Sequence, residues 1–181
     1  AEMDLADIVL IGGVHMGRTA GRALDLAQAA PIEGYHKRIV GYTGEFAAMR
    51  GSDIVVISAG VPRTPGMSRD DLLEMNASIV RTVSKKVAEL APDAIVIVVT
   101  NPLDAMCHVA YESTGFPRSR VIGMAGILDS SRFATFISME LDVSIENISA
   151  FVLGGHGDTM VPLPRYTTVA GVPITHLLSE Q

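Results

Sequence analysis

Short apolar runs alternate with longer segments of helical spacing through most of this chain. The clearest run, residues 94–99, is apolar throughout, which is typical of a strand covered on both faces. Strands of this kind that alternate with helices indicate a parallel sheet with helices wound on both sides. The sequence therefore predicts an α/β fold with a doubly wound parallel sheet.

The same pattern locates the other elements. Strands are predicted over residues 8–11, 38–42, 53–58, 94–99 and 121–123, and helices over 18–30, 69–90, 101–112 and 129–141. Pro31 is expected to end the first helix, and Ser68 to cap the second. Beyond about residue 123 the pattern is less regular and contains several prolines. We expect two domains, residues 1–123 and 124–181.

Small or polar residues follow four of the predicted strands. They are Gly12-Gly13, Ala59-Gly60, Thr100-Asn101 and Gly123. Doubly wound sheets bind ligands beyond the carboxyl ends of their strands, and small residues there let a ligand approach the backbone closely. The sequence therefore predicts a binding edge along these strand ends.

His156 lies in the sequence Gly-Gly-His-Gly-Asp, after an apolar run at 148–153 that predicts a buried strand. Its imidazole suits proton transfer, although a purely structural histidine is the commoner case. Asp129 would accept an imidazole N–H, fix the tautomer and favour the protonated ring. Arg132, on the same helix face, would hold an anionic substrate. The alternative for Asp129 and Arg132 is an exposed ion pair, and spacing alone leaves both interpretations open.

The segment 61–69 places Arg63 and Arg69 in a loop shaped by proline and glycine. Two guanidiniums on one loop suit a lid that closes over a doubly charged acid, and a solvated surface loop is the alternative. Asn101 is interpreted either as a ligand for a cofactor amide or a substrate hydroxyl, or as a helix N-cap. Both roles are compatible.

Composition excludes several classes of protein. With 14 Lys and Arg against 20 Asp and Glu, the formal charge is −6, so no nucleic-acid partner is expected. No apolar run reaches the roughly 20 residues that span a bilayer, so we expect no membrane span. We also expect no secretory signal. The single cysteine, Cys107, fits a reducing compartment, so we expect a cytoplasmic protein. No cluster has metal-ligand spacing, so no metal is predicted.

Five motifs occur in one order along the chain: Ala-Leu-Asp-Leu at 23–26, the arginine loop at 63–69, Thr-Asn-Pro-Leu-Asp at 100–104, Leu-Asp-Ser-Ser-Arg at 128–132, and Gly-Gly-His-Gly-Asp at 154–158. In this order they resemble the lactate/malate dehydrogenase family, and most of all the lactate-dehydrogenase-like malate dehydrogenases of bacteria. The resemblance implies a Rossmann-like sheet, incomplete here, followed by part of an α+β substrate lobe.

The resemblance implies a role for each polar residue. His156 is the proton donor and acceptor, and Asp129 is its partner. Arg132 binds the carboxylate beside the reacting carbon, and Arg69 is the lid arginine that polarises the carbonyl. Arg63 occupies the position that discriminates substrates, where arginine suits the second carboxylate of malate or oxaloacetate. The implied reaction is the hydride transfer of malate dehydrogenase, an enzyme of the tricarboxylic acid cycle.

The cofactor that the resemblance implies is NAD. Its contacts would be Gly12, Ser58, Ala59, Gly60, Asn76, Thr100 and Asn101. Relatives carry an acidic residue for the adenosine ribose where this chain has Gly12, with Arg18 nearby. Two interpretations of this loss stay open: a preference relaxed toward NADP, or an adenosine site that is damaged or absent. Residues 12–17 imitate the family's glycine turn, but Val14 stands at the middle glycine.

The resemblance also suggests that the N-terminal glycine-rich unit and the C-terminal part of the family are missing from this chain, and that the enzyme is a homo-oligomer, either a dimer or a tetramer. Two rival interpretations stay open. One is a dehydrogenase of another 2-hydroxy acid. The other is a non-catalytic folded fragment that acts as a binding or assembly module.

Overall fold

The computed structural model describes residues 3–13 and 18–179. The chain divides into two compact units. The first unit comprises Ala1–Val55 and Ser84–Ile95, and the second comprises Val56–Val83 and Val96–Gln181.

The first unit is built on two parallel strands and a helix. Its elements are β1 (Ile8–Gly12), α1 (Thr19–Glu33) and β2 (Ile39–Thr43). The register pairs Ile8 with Ile39 and ends at Gly12 and Thr43. The connection through a helix to a parallel neighbour is the arrangement that the alternating pattern predicted.

Pro31 does not end the first helix, which corrects the sequence prediction. The helix α1 continues to Glu33 with Pro31 inside its last turn. Gly34 ends it in the left-handed conformation at φ 78°, and its N–H donates to the Ala30 carbonyl at 2.9 Å. Close to a helix end, proline disturbs few intrahelical hydrogen bonds, and the conformational freedom of glycine terminates the helix.

A second sheet contains three strands in the order β3 (Ile54–Ile57), β4 (Ile95–Val98) and β5 (Val121–Gly123), with β4 and β5 parallel. Val96 and Val98 are fully buried, but Ile95 is 38% exposed. The prediction that the strand over residues 94–99 is covered on both faces is therefore wrong at Ile95, the first residue of β4. An unbroken apolar run does not reveal which of its alternate side chains face outward.

The helix α2 (Arg69–Leu90) has the bounds that the sequence predicted. Ser68 and Asp71 account for its start because they form a reciprocal cap. The Asp71 N–H donates to the Ser68 hydroxyl, and the Ser68 N–H donates to the Asp71 carboxylate, both at 3.0 Å. The Ser68 side chain, followed by its backbone N–H, holds the pKa of Asp71 below its ordinary value. Such a cap satisfies N–H groups that the first turn leaves without partners.

The helix α3 (Leu103–Thr114) begins after a cis Asn101–Pro102 peptide bond. Pro102 is its N-cap, and no side chain caps it. The alternative role of Asn101 as an N-cap is therefore wrong, because the helix starts one residue too late for its side chain to reach the free N–H groups.

The second unit ends in a helix and short antiparallel strands. The helix α4 (Gly126–Leu141) starts three residues earlier than predicted. The strands are β6 (Ile148–Ser149), β7 (Val152–Gly154), β8 (Met160–Pro162), β9 (Thr168–Val169) and β10 (Val172–Pro173). They form two sheets, ordered β10-β9-β6 and β7-β8.

The buried strand predicted over residues 148–153 is wrong. The segment contributes β6 to one sheet and β7 to the other, and Phe151 and Leu153 are 48% and 60% exposed. Periodicity could not reveal the change of partner, since both halves are equally apolar. Among the described residues, no helix is both long and apolar enough to cross a membrane.

Candidate active site

The second unit brings His156 and Asp129 into direct contact. His156 follows β7 by two residues, and Asp129 lies in the first turn of α4. The His156 Nδ1 and Asp129 Oδ2 atoms are 2.9 Å apart, and Asp129 is 6% exposed. A carboxylate at Nδ1 fixes the tautomer and orientation of the ring. Nε2 is therefore the nitrogen that can face a substrate.

Backbone contacts position the loop that carries His156. The Val152 N–H donates to the Ser130 hydroxyl at 3.1 Å, and the His156 N–H donates to Asp104 Oδ2 at 3.0 Å. Gly154 has φ +90°, and a Cβ there would lie 2.2 Å from the Thr159 carbonyl oxygen. Glycine is therefore required at this position by backbone geometry.

Arg132 lies beside the same carboxylate but does not form a hydrogen bond with it. Its NH1 atom is 4.0 Å from Asp129 Oδ1, and its side chain is 61% exposed. Asp129 Oδ1 is buried without a hydrogen-bond partner among the described residues. Arg132 thus has a negative neighbour on one side and solvent on the other, which leaves its guanidinium donors available to an anion.

Arg69 joins the site through Asp158, two residues after the histidine. Its NH1 atom is 3.1 Å from Asp158 Oδ2, and the two side chains are 78% and 86% exposed. An ion pair this exposed contributes little free energy, so Arg69 can exchange Asp158 for another anion. Asp158 stands in the motif of His156, but we predicted no role for it from the sequence.

Arg63 is exposed on the loop that precedes α2. Its Nε donates to the Met67 carbonyl at 3.3 Å, which closes a short turn around Gly66. In the part of the chain that the structure describes, its guanidinium pairs with no carboxylate. The structure therefore leaves Arg63 free for a ligand but does not place it in contact with His156.

Asn76 lies beneath this loop and is 2% exposed. Its Oδ1 accepts from the Val61 N–H at 2.8 Å, and its Nδ2 donates to the carbonyls of Val61 and Asn101 at 3.2 and 2.7 Å. These contacts tie the start of the arginine loop to the end of β4. The sequence prediction gave Asn76 a cofactor contact, whereas the contacts observed are all with protein backbone.

We expect Asn76→Ala to lower the free energy of unfolding by about 2 kcal/mol, because the part-buried hydrogen bonds that its amide makes to the backbone of Val61 and Asn101 are lost. Urea unfolding followed by circular dichroism measures the change. Asn147→Ala, in a short 3-10 helix at an exposed position, is the control and should change stability by less than about 0.5 kcal/mol. Equal stability of Asn76→Ala and wild type would contradict this role.

The strand ends of β3 and β4 form an edge open to a ligand. Ser58, Ala59 and Gly60 follow β3, Asn101 follows β4 by three residues, and all four are exposed. Thr100 is buried, and its hydroxyl donates to the Ala59 carbonyl at 2.8 Å. Thr100 therefore links the ends of β3 and β4, while the exposed residues beside it remain accessible to a ligand. Exposed small residues at this position leave the backbone accessible where doubly wound sheets bind ligands, beyond the carboxyl ends of their strands.

Gly12 lies in the first unit as the last residue of β1, and its carbonyl accepts from the Gly44 N–H at 2.8 Å. The rest of the imitated glycine turn, residues 14–17, lies outside the described residues. Within the ranges 3–13 and 18–179, no group of three or more His, Cys, Asp or Glu side chains could hold a metal ion.

Cys107 lies half-buried on α3, one turn after Asp104. Burial, and then the negative charge of Asp104, raise the pKa of the Cys107 thiol above its ordinary value. The thiol is therefore protonated at neutral pH and a poor nucleophile.

Fold and site together define an α/β protein with a histidine–carboxylate pair and with exposed small residues at the ends of its parallel strands. Comparison with known proteins makes the class specific. Residues 1–123 match the family model for the lactate/malate dehydrogenase NAD binding domain, and residues 127–181 match that for the lactate/malate dehydrogenase alpha/beta C-terminal domain. The chain belongs to the lactate/malate dehydrogenase family.

Individual relatives agree with this assignment. A malate dehydrogenase of Thermomicrobium roseum is 57% identical over 98% of this chain and 57% of its own length. The apo malate dehydrogenase of Picrophilus torridus superposes with a TM-score of 0.93 at 44% identity, over 98% of this chain and 56% of that one. A lactate dehydrogenase of Cryptosporidium parvum was solved with lactic acid and nicotinamide adenine dinucleotide. It superposes with a TM-score of 0.89 at 40% identity, over 97% of this chain and 55% of that one. The α/β, Rossmann-like prediction is confirmed. The chain spans just over half the length of these relatives.

Proposed function

We propose that this protein is a malate dehydrogenase-like oxidoreductase that interconverts malate and oxaloacetate with a nicotinamide cofactor. The observation that carries the proposal is the 2.9 Å contact between His156 Nδ1 and the buried Asp129 carboxylate. A ring oriented in this way presents Nε2 for proton transfer to or from a substrate oxygen. The malate dehydrogenases among the relatives support the substrate class.

The chemistry divides between cofactor and protein. When bound, the nicotinamide supplies the hydride chemistry at C2 of the substrate. His156 Nε2 removes the hydroxyl proton of malate in oxidation and returns a proton to the carbonyl oxygen of oxaloacetate in reduction. The ring must therefore be neutral for oxidation and protonated for reduction. The Asp129 carboxylate balances the positive charge that the ring carries when it holds the proton.

Three arginines would bind and orient the substrate. Arg132 would hold the carboxylate next to C2, a role supported by its exposed guanidinium beside Asp129. Arg69 would leave Asp158 and polarise the C2 carbonyl, and Arg63 would bind the distal carboxylate. Asn101 would orient the substrate and the nicotinamide amide from the end of β4. Guanidinium groups match carboxylates in bidentate geometry, which favours a dicarboxylate over a single acid group.

NAD is the proposed cofactor, with NADP as the alternative. The family is defined by an NAD binding domain, which supports a dinucleotide at this edge. Gly12 provides no carboxylate for an adenosine ribose, and this is the reason to test both cofactors. The proposed contacts in the second unit are the exposed residues Ser58, Ala59, Gly60 and Asn101, and the buried Asn76 and Thr100 would support these contacts from within the protein. In the first unit, the proposed contact is Gly12.

The domain assignment is also a proposal: a dinucleotide-binding part over residues 1–123 and a substrate part over 124–181. The ranges of the two family models support this division. We further propose a homo-oligomer, either a dimer or a tetramer, in the cytoplasm. Large apolar side chains exposed on α4, Phe136 at 67% and Met139 at 72%, support association.

The test is oxidation of NADH by the purified chain with oxaloacetate, followed at the nicotinamide absorbance and repeated with NADPH. Saturable turnover supports the proposal, and the preferred cofactor shows the consequence of Gly12. If the folded chain binds neither cofactor in a fluorescence titration, it is not an oxidoreductase as it stands. The rival interpretation as a binding or assembly module would then apply.

A further inference from the structure

Asp104 contacts the histidine loop from a second direction. It lies in the first turn of α3, and its Oδ2 accepts a hydrogen bond from the His156 backbone N–H at 3.0 Å. A Cβ added to Gly155 would lie 3.2 Å from the same oxygen, so the carboxylate packs against the loop as well as bonding to it. The proposed chemistry gives Asp104 no role.

His156 needs a backbone anchor because of its neighbours. Gly155 and Gly157 flank it, and glycine backbones have more accessible conformations than those of other residues. The hydrogen bond to Asp129 fixes one ring atom, Nδ1, but the ring can still pivot about that point if the backbone moves. A second fixed point at the backbone nitrogen is needed to fix the position of Nε2.

The position of Asp104 also relates His156 to the binding edge. Asp104 follows Asn101 by three residues, and the Asn101 carbonyl is held by Asn76. A short piece of backbone therefore joins the end of β4 to Asp104, the residue that accepts the hydrogen bond from the His156 N–H. Movement of that strand end relative to the imidazole would strain the hydrogen bond from the His156 N–H.

We propose that Asp104 is a positioning residue. It holds the His156 backbone, and through it Nε2, at a fixed position relative to the binding edge. The kinetic part of this inference rests on the proposed function. The structural part concerns only the hydrogen bond at His156. Small misplacements of a catalytic group reduce rates strongly while leaving substrate binding nearly intact.

The test compares Asp104→Ala with Asp104→Asn, which keeps an acceptor oxygen, and with Glu112→Ala, which removes an acidic residue from the same helix. We expect Asp104→Ala to lower kcat by about 10- to 100-fold and to change KM by less than about threefold. Asp104→Asn should restore most of kcat, and Glu112→Ala should match wild type. If Asp104→Ala acted only through a general loss of stability, we would not expect kcat to fall alone and Asp104→Asn to restore it.

Amide hydrogen exchange measured by NMR tests the contact without turnover. In Asp104→Ala the His156 amide should exchange about tenfold faster or more, because its charge-assisted hydrogen bond is lost. The amides of β4 serve as an internal reference and should not change. In Asp104→Asn the protection of the His156 amide should largely remain.

The two measurements separate the possible failures. Unchanged exchange at His156 in Asp104→Ala overturns the inference, as does an unchanged kcat in an active chain. If wild type has no turnover, the proposed function fails, and the exchange measurement alone decides whether Asp104 anchors His156.

Discussion

Replacing His156 with asparagine should lower kcat for oxaloacetate reduction by about 10²- to 10⁴-fold, the usual contribution of a general acid or base. Asparagine keeps a side-chain N–H that can reach the Asp129 carboxylate, so the buried charge retains a partner. It has no titrating nitrogen in place of Nε2, so it cannot move the proton. Steady-state kinetics with NADH measures the loss, and the Kd of the cofactor should change little.

His108→Asn is the matched control for this prediction. His108 is an exposed histidine of the second unit and pairs with Glu112 at 3.1 Å on α3. Its replacement should leave kcat within about twofold of wild type, as expected for a surface site. If His156→Asn turns over like His108→Asn, His156 is not the acid–base group, and the Asp129 contact has only a structural role.

The second large effect is expected from Arg63→Gln. We expect kcat/KM for oxaloacetate to fall by about 10²- to 10³-fold, because the distal carboxylate would lose its charged partner within the site. Pyruvate lacks that carboxylate, so its kcat/KM should stay the same or rise. The measurement is the ratio of kcat/KM for the two substrates in wild type and in the variant.

Arg165→Gln removes an exposed arginine elsewhere in the second unit and controls for a general change in surface charge. A fall of equal size on pyruvate and oxaloacetate would contradict the specificity role of Arg63. It would indicate that Arg63 supports the loop through its hydrogen bond to the Met67 carbonyl. No fall on oxaloacetate would favour a dehydrogenase of another 2-hydroxy acid.

Elements whose ends are encoded locally were predicted well from the sequence. The bounds of α2 agree with prediction because Ser68 and Asp71 lie three residues apart and satisfy each other's backbone N–H groups. Pro31 and the segment 148–153 were predicted wrongly. In the first case the end of α1 depends on Gly34, and in the second the strand changes sheets. A choice of sheet is made by packing, which no local pattern records.

In the site, too, some features could be predicted from local sequence and others depended on packing. His156, Asp129 and Arg132 were proposed from the sequence because histidine, carboxylate and guanidinium have recognisable chemistry at motif positions. No pattern in the sequence indicated anchoring roles for Asn76, Asp104 or Asp158. Their hydrogen bonds are made to backbone atoms or to an exposed arginine far along the chain. Buried amides and carboxylates with such partners have no distinctive spacing.

The sequence by itself determined the alternation of strands and helices, the family and the chemical types available for catalysis, since these depend on side-chain character and on spacing within a few residues. Only the tertiary structure decided which groups meet. Asp129 and His156 are 27 residues apart, Asp104 and His156 are 52 apart, and Arg69 and Asp158 are 89 apart. Contacts over such separations form because chain packing offsets the entropy of closing each loop, and that balance is a property of the whole fold.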